Sequence, residues 1–335
     1  MTIAIDTLRS RVWSILISEA LGDALGSPHE LKTYNGEYTG ELYLNTIITR
    51  QFNEPITLPI GAITDDTQMT HALINALVLI KNNDVVGLFD QIVFNYINFA
   101  NTKPHSLGHN TRALFRNIKT IKGYEGRLAK VDPNNQSDGT LMRASALAYL
   151  PQTLSNVELF QIIDREVTLT NKHPNNVLAS YIYVRLLRYL LFTEVQPTRE
   201  AIYEFIIGLL SEISNTITTT ITDELRHSIE QGIRGEKRDV TGKSKGWVLH
   251  GVYATFYALF HCHNVPNAIA TIVGMGGDTD TNAKIASAVM GCYHGLDLGD
   301  ATTFRNIQLM VNVPTNDELH NINPLIDSIL GLMLC

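Results

Sequence analysis

Cysteine is scarce in this chain. Only Cys262, Cys292 and Cys335 occur, with no CxxC pair. That excludes a disulfide framework and a paired-thiolate zinc site, and it points to a reducing, cytoplasmic compartment. Charge is also thin: Asp, Glu, Lys and Arg make up 18% of 335 residues, with 26 Lys plus Arg against 33 Asp plus Glu, a net charge of −7. General nucleic-acid binding needs a clustered cationic face, which this balance argues against. No uncharged apolar run approaches the roughly 18 residues of a membrane span. The longest candidate, YIYVRLLRYLLF, carries Arg185 and Arg188. Arg9 and Arg11 precede a stretch interrupted by Glu19 and Asp23, unlike a signal peptide. Linkers rich in Ser, Pro or Gly, fixed-period repeats and low-complexity tracts are missing as well. Residues 1–335 are therefore read as one large domain, expected as a monomer.

What is present is helical periodicity. The apolar share of 44% is that of an ordinary soluble globular chain, and at this length about three-quarters of the unfolded surface is buried. Residues 6–25 carry Leu8, Val12, Ile15, Leu16 and Ala20 on one stripe, with Asp6 as the expected N-cap. The same pattern predicts helices over 65–81, 84–100, 140–150, 156–169, 176–193, 198–213, 222–233, 247–262, 279–293 and 316–333. Between 31 and 62, Tyr, Thr, Gly and Pro interleave, which predicts a long, lid-like loop with one short strand pair. Segments 123–139 and 232–246 read as loops between helices, the second a solvated basic one. The fold class is all-α.

Two polar segments conflict with their apolar settings. Thr64-Asp65-Asp66-Thr67 follows LPIGAI. Thr64 is a natural N-cap and carboxylates in a first turn suit the helix dipole; the same turn can aim all three side chains at one cation. Gly276-Gly277-Asp278-Thr279-Asp280-Thr281-Asn282 opens another helix. Asp278 and Asp280 diverge on a regular helix but converge at a loop-to-helix junction, where glycine allows positive φ or close backbone approach. Each segment alone is also readable as a capped helix start. Together they offer four carboxylates and two hydroxyls, hard donors suited to Mg²⁺, Mn²⁺ or Ca²⁺ rather than zinc. Four carboxylates exceed what one Mg²⁺ usually takes, so two ions about 3.5–4 Å apart use them better. A third segment, GDALGSPHE (22–30), ends the first helix with Gly26 as C-cap and Pro28 as stop. Glu30 then stands at the mouth of the long loop.

GDALGSPHE, ITDDTQM, SDGTLMRASALA and GMGGDTDTNAKIASAVMG, in this order and spacing, resemble the ADP-ribosylglycohydrolases, from about residue 9 to about 298. The resemblance implies an all-α orthogonal bundle with a binuclear Mg²⁺ centre, Mn²⁺ being the alternative, held by Thr64, Asp65, Asp66, Asp278, Asp280 and Thr281. It implies Glu30 and Asp66 as catalytic residues. It places a diphosphate on Asn134, Asn135, Gln136, Ser137, Asp138 and Gly139, completed by Met142 and Arg143, with Gly108 and His173 as further substrate contacts. The implied reaction releases ADP-ribose from an N- or O-glycosidic bond at C1″ of a protein or small-molecule conjugate.

The sequence departs from the family at Asp138, where Asn is common before Gly, at Asn171, where a His is common, and at Ser106, where some members carry Asp. These departures keep open an ADP-ribose-binding protein of the same fold with little turnover. Arg143 is also readable as a brace that pairs with a carboxylate. Two other motif readings fail. DTDTN lacks the parallel α/β context of a phosphatase nucleophile, and 278–289 has Ala283 and Val289 where a calcium loop needs Gly and Glu. His261-Cys262-His263 cannot face one ion from a helix, and Trp13 and Trp247 read as core anchors.

Overall fold

The computed structural model describes residues 3–30, 47–51, 54–79, 85–104, 106–216 and 221–334. In chain order the elements are α1 (Ile5–Gly26), β1 (Ile47–Gln51), β2 (Glu54–Leu58), α2 (Asp65–Leu77), α3 (Val85–Asn101), α4 (His109–Phe115), α5 (Ile121–Leu128), α6 (Asn156–Thr168), α7 (Pro174–Phe192), α8 (Arg199–Thr216), α9 (Asp223–Arg234), α10 (Val248–His261), α11 (Val265–Met275), α12 (Thr279–His294), α13 (Ala301–Val311), α14 (Asp317–His320) and α15 (Asn323–Met333). A 3₁₀ helix runs from Asp138 to Tyr149. The all-α class holds, and the strand pair falls where it was expected: β1 and β2 form an antiparallel hairpin with Ile47 opposite Leu58. The rest of the expected lid, 31–46 and 52–53, lies outside the described residues. No described helix is long and apolar enough to cross a membrane.

The centre of the molecule is the α1–α12 pair. From Ser14 to Gly26 every residue of α1 is buried, and from Thr279 to Cys292 every residue of α12. Small residues let the two backbones nearly touch. A Cβ on Gly26 would lie 2.5 Å from Asp280 Cα, so no larger residue fits. Thr279 Oγ1 donates to Gly26 O at 2.8 Å and Ser287 Oγ to Ser18 O at 2.8 Å, closing the seam.

Several expectations need correction. Asp6 is not the N-cap of α1; Ala4 holds that position, and Asp6 sits in the first turn, where its charge still suits the dipole. The pattern over 140–150 is 3₁₀ rather than α. The helix expected over 316–333 breaks at Ile322, since Pro324 cannot donate the backbone bond that would carry it through. Helices α4, α5, α11 and α13 were not expected. α5 takes the first part of the 123–139 loop, and α11 buries Val265, Ala268, Ile269, Ile272 and Val273 on one face, with Asn264 capping it through Asn267 N.

Candidate active site

The starts of α2 and α12 meet at one place. Thr64 caps α2: its Oγ1 accepts from Asp66 N at 3.3 Å. A second cap comes from α1. Asp23, fully buried, accepts from Thr64 N, Thr67 N and Thr67 Oγ1, the last at 2.6 Å. Sequence reasoning quoted Asp23 but gave it no role; the available signal was a carboxylate set within an apolar helix. Asp66 Oδ2 accepts from Thr281 Oγ1 at 2.7 Å, which joins the two helix starts directly. Gly276 and Gly277 both take φ near +79°, and a Cβ on Gly277 would lie 2.1 Å from Val240 O. Both reasons for glycine given by the sequence therefore apply at Gly277.

Asp65, Asp66 and Asp280 are 5%, 5% and 6% exposed. Burial holds Asp66 well above the usual carboxylate range, and the charges of Asp23, Asp65 and Asp278 add to the rise. Asp280 is raised in the same way, by burial first and then by Glu30 and Asp278. Asp65 rises less freely. Burial raises it, but Ser106 and Gly108 stabilise its charged form, the Gly108 N–H donating to Oδ2 at 2.7 Å. Gly108 and Ser106 thus serve Asp65. Among the described residues, no three His, Cys, Asp or Glu side chains are close enough to form a ready-made metal cage.

Glu30 stands at the edge of this group, just past the 3₁₀ turn that ends α1. Its Oε1 is 2.9 Å from Lys245 Nζ, with side chains 34% and 29% exposed. Burial raises the Glu30 carboxyl, Asp278 adds to this, and Lys245 opposes it. The basic segment 232–246 is therefore not simply solvated. Lys245 faces the carboxylates, and Arg238 turns inward to Ser228, Gln231 and His250.

The loop 134–139 lies against the segment 246–248. Asp138 N donates to Gly246 O at 3.0 Å and Val248 N to Gln136 O at 2.9 Å. Trp247 Nε1 donates to Gln136 Oε1 at 3.0 Å, so Trp247 pins this loop as well as packing against the core. Asn171 is 1% exposed and donates to Ser137 Oγ at 3.1 Å; Asn176 donates to Ser137 O at 2.7 Å. Asn171 is a brace for the loop. Four of its N–H groups are committed inside the protein: Asn134 to Asp132, Asn135 to Asp132, Ser137 to Asn135, and Asp138 to Gly246. A diphosphate held here would meet Gln136 and Gly139 instead, and a Cβ on Gly139 would touch nothing within 4 Å, leaving that side open. His173 caps α7, its Nδ1 accepting from Asn175 N at 3.1 Å.

Arg143 is the brace the sequence allowed. Fully buried, it donates through Nε to Glu166 Oε1 at 2.7 Å and through NH2 to Thr170 Oγ1 at 3.0 Å, and its NH1 reaches Gly139 O. Tyr96 OH adds a 2.7 Å bond to the same Glu166 oxygen. His261 Nε2 pairs with Ile233 O at 2.9 Å.

A family model described as ADP-ribosylglycohydrolase matches residues 4–299. The chain is 23% identical over 303 residues to a protein of Acanthamoeba polyphaga mimivirus named after ADP-ribosyl glycohydrolases, covering 86% of this chain and 87% of that one. It is 20% identical over 295 residues to the ADP-ribosyl-dinitrogen reductase glycohydrolase of Rhodospirillum rubrum, covering 87% and 88%. A solved structure titled ADP-ribosylglycohydrolase-related protein complex superposes with a TM-score of 0.72 at 18% identity, over 98% of this chain and 100% of that one. That likeness shows the fold.

Proposed function

The chain belongs to the ADP-ribosylglycohydrolase family, and from that premise we propose that it is a divalent-cation-dependent hydrolase that cleaves the glycosidic bond at C1″ of an ADP-ribose conjugate and releases ADP-ribose. One observation carries the cation dependence: Asp65, Asp66 and Asp280 are buried together, and the rise of each is increased by neighbouring carboxylates. Buried like charges are costly unless a cation sits among them. The donors fit Mg²⁺ or Mn²⁺, since all are hard oxygens. Thr64, Asp65, Asp66, Asp278, Asp280 and Thr281 would hold the ions, two in number.

When bound, such cations would lower the pKa of a coordinated water and polarise ribose hydroxyls. The protein supplies the rest. Thr281 and Gly108 fix the orientation of Asp66 and Asp65 through the bonds already described. Glu30, partly exposed and at the edge of the group, is placed to move a proton between water and the leaving group as C1″ passes through an oxocarbenium-like state. The open face at Gly139 receives the diphosphate. The acceptor is a protein side chain or a small molecule.

The Lys245–Glu30 ion pair favours one second reading, an ADP-ribose binder with little turnover, because it engages the proton-moving group. Chromatography of ADP-ribose released from arginine, serine and O-acetyl conjugates, with Mg²⁺ and with EDTA, separates the two. The hydrolase gives metal-dependent release from at least one conjugate. A folded, Mg²⁺-supplied protein that binds ADP-ribose and releases none from any conjugate is the binder.

A further inference from the structure

Asp138 is 7% exposed, and its Oδ2 has no hydrogen-bond partner among the described residues. Its backbone is held by the N–H bond to Gly246 O. It faces a second carboxylate across Gly246. A Cβ built on Gly246 would lie 3.0 Å from Asp278 Oδ2 and 3.5 and 3.7 Å from the two carboxylate oxygens of Asp138. The charges acting on Asp138 are Asp278 and Glu30, opposed by Lys245, whose ammonium is paired with Glu30. A buried carboxylate oxygen without a partner is a costly feature. It is explained if a ligand of opposite charge completes it. Two carboxylates converging on one backbone point suit a hard divalent cation.

We propose that Asp138 is a further cation ligand of this site, paired with Asp278 across Gly246 on the side of the 134–139 loop. This rests on the cation-dependent reading above. It assigns Asp138 to the cation rather than to the diphosphate, and it removes the conflict of placing a carboxylate beside a phosphate.

The test is Mn²⁺ binding to the metal-stripped full chain, with free Mn²⁺ read from its electron paramagnetic resonance amplitude, and thermal melts in parallel. Wild type is expected to bind Mn²⁺ and to melt higher with it. Asp138→Asn should bind one Mn²⁺ at least tenfold more weakly. It should melt higher than wild type without metal, because a partnerless buried charge is gone, and gain less from Mn²⁺. Asp138→Ser, equally neutral and smaller, is read the same way should the amide not fold. Unchanged Mn²⁺ affinity in a folded neutral variant overturns the proposal while the cation-dependent reading stands. A lower metal-free melt with an unchanged Mn²⁺ shift makes Asp138 a brace and also overturns it. A folded wild type that binds no Mn²⁺ overturns the cation-dependent reading itself.

Discussion

Lys284 Nζ lies 2.9 Å from Glu19 Oε2, with both side chains 1% exposed. The pair bridges α12 and α1, and Ser145 Oγ donates to the same Glu19 oxygen at 2.7 Å. The helices it joins deliver Asp280 and Asp23 to the candidate site. Truncating one partner strands a charge in the core. Lys284→Met should therefore cost about 3–5 kcal/mol in urea unfolding, and Lys284→Met with Glu19→Leu should cost less than either single change. Equal costs for the single and double variants would count against the pair as a strut.

Gly26→Ala should act on stability and site together. The added methyl would meet Asp280 Cα at 2.5 Å, against backbone rather than a flexible side chain, so one of the two helices must move. Overpacking of this kind costs about 1–3 kcal/mol. Mg²⁺-dependent release of ADP-ribose should fall further than the melting temperature alone accounts for, because the helix start carrying Asp280 must shift. Full activity at a reduced melting temperature would show that the shift is absorbed elsewhere.

Arg143→Lys keeps the charge but loses the planar fork that reaches Glu166, Thr170 and Gly139 at once. Loss of about 2 kcal/mol is expected, given that hydrogen bonds to charged groups contribute about 1.5–3 kcal/mol each. Since Gly139 lies on the open side of the loop, KM for a conjugate should rise more than kcat falls. A change confined to kcat would argue against the loop as the diphosphate seat.

Asp65→Asn and Asp280→Asn should each lower Mg²⁺-dependent release at least ~100-fold, the upper range for changes that merely support a metal ligand. The variants should also lose the Mg²⁺-induced rise in melting temperature. Retained turnover in either would remove the cation-dependent mechanism.

His250 supplies a pH dependence. Burial lowers it to about 4 from an ordinary 6.5, and Arg238 reinforces this by repulsion. A histidine held neutral in the fold takes up its proton more readily when unfolded. Its contribution to stability is thus complete above about 6.5 and is lost as pH falls toward 4. The buried carboxylates, raised in the fold, act in the opposite direction, so the comparison must be differential. His250→Asn cannot titrate but can still accept from Arg238. The gap between wild-type and variant melting temperatures should shrink from pH 7 to pH 4.5; a constant gap would refute the assignment.

The helices and the two acidic motifs were legible because their signals are local. A cap at Thr64 and carboxylates in the first turn of α2 depend on residues two or three positions apart. So does the Gly-Gly entry into α12. Periodicity located α1, α7 and α12 despite the little contrast between their faces, since each is long. It missed α11, although Val265, Ala268, Ile269, Ile272 and Val273 form one buried face, and α4, which is only seven residues. The sequence named Gly108 as a substrate contact, and Ser106 and Asn171 only as departures from the family pattern. In the structure each is engaged by the protein: Asn171 with Ser137, and Ser106 and Gly108 with Asp65.

By itself, then, the sequence determined the all-α class, the family resemblance and which helix starts carry the carboxylates. Those properties arise from backbone preferences and patterns within a few residues. Only the tertiary structure decided which groups face one another. It brought Asp23 to the cap of α2 across 41 positions, Lys245 to Glu30 across 215 and Thr281 to Asp66 across 215. It also turned Asp138 toward Asp278, over Gly246. Such pairings depend on how α1 and α12 cross and how the 246–248 segment lies on the 134–139 loop. No local pattern encodes that, because it is the close packing of distant backbones that sets it.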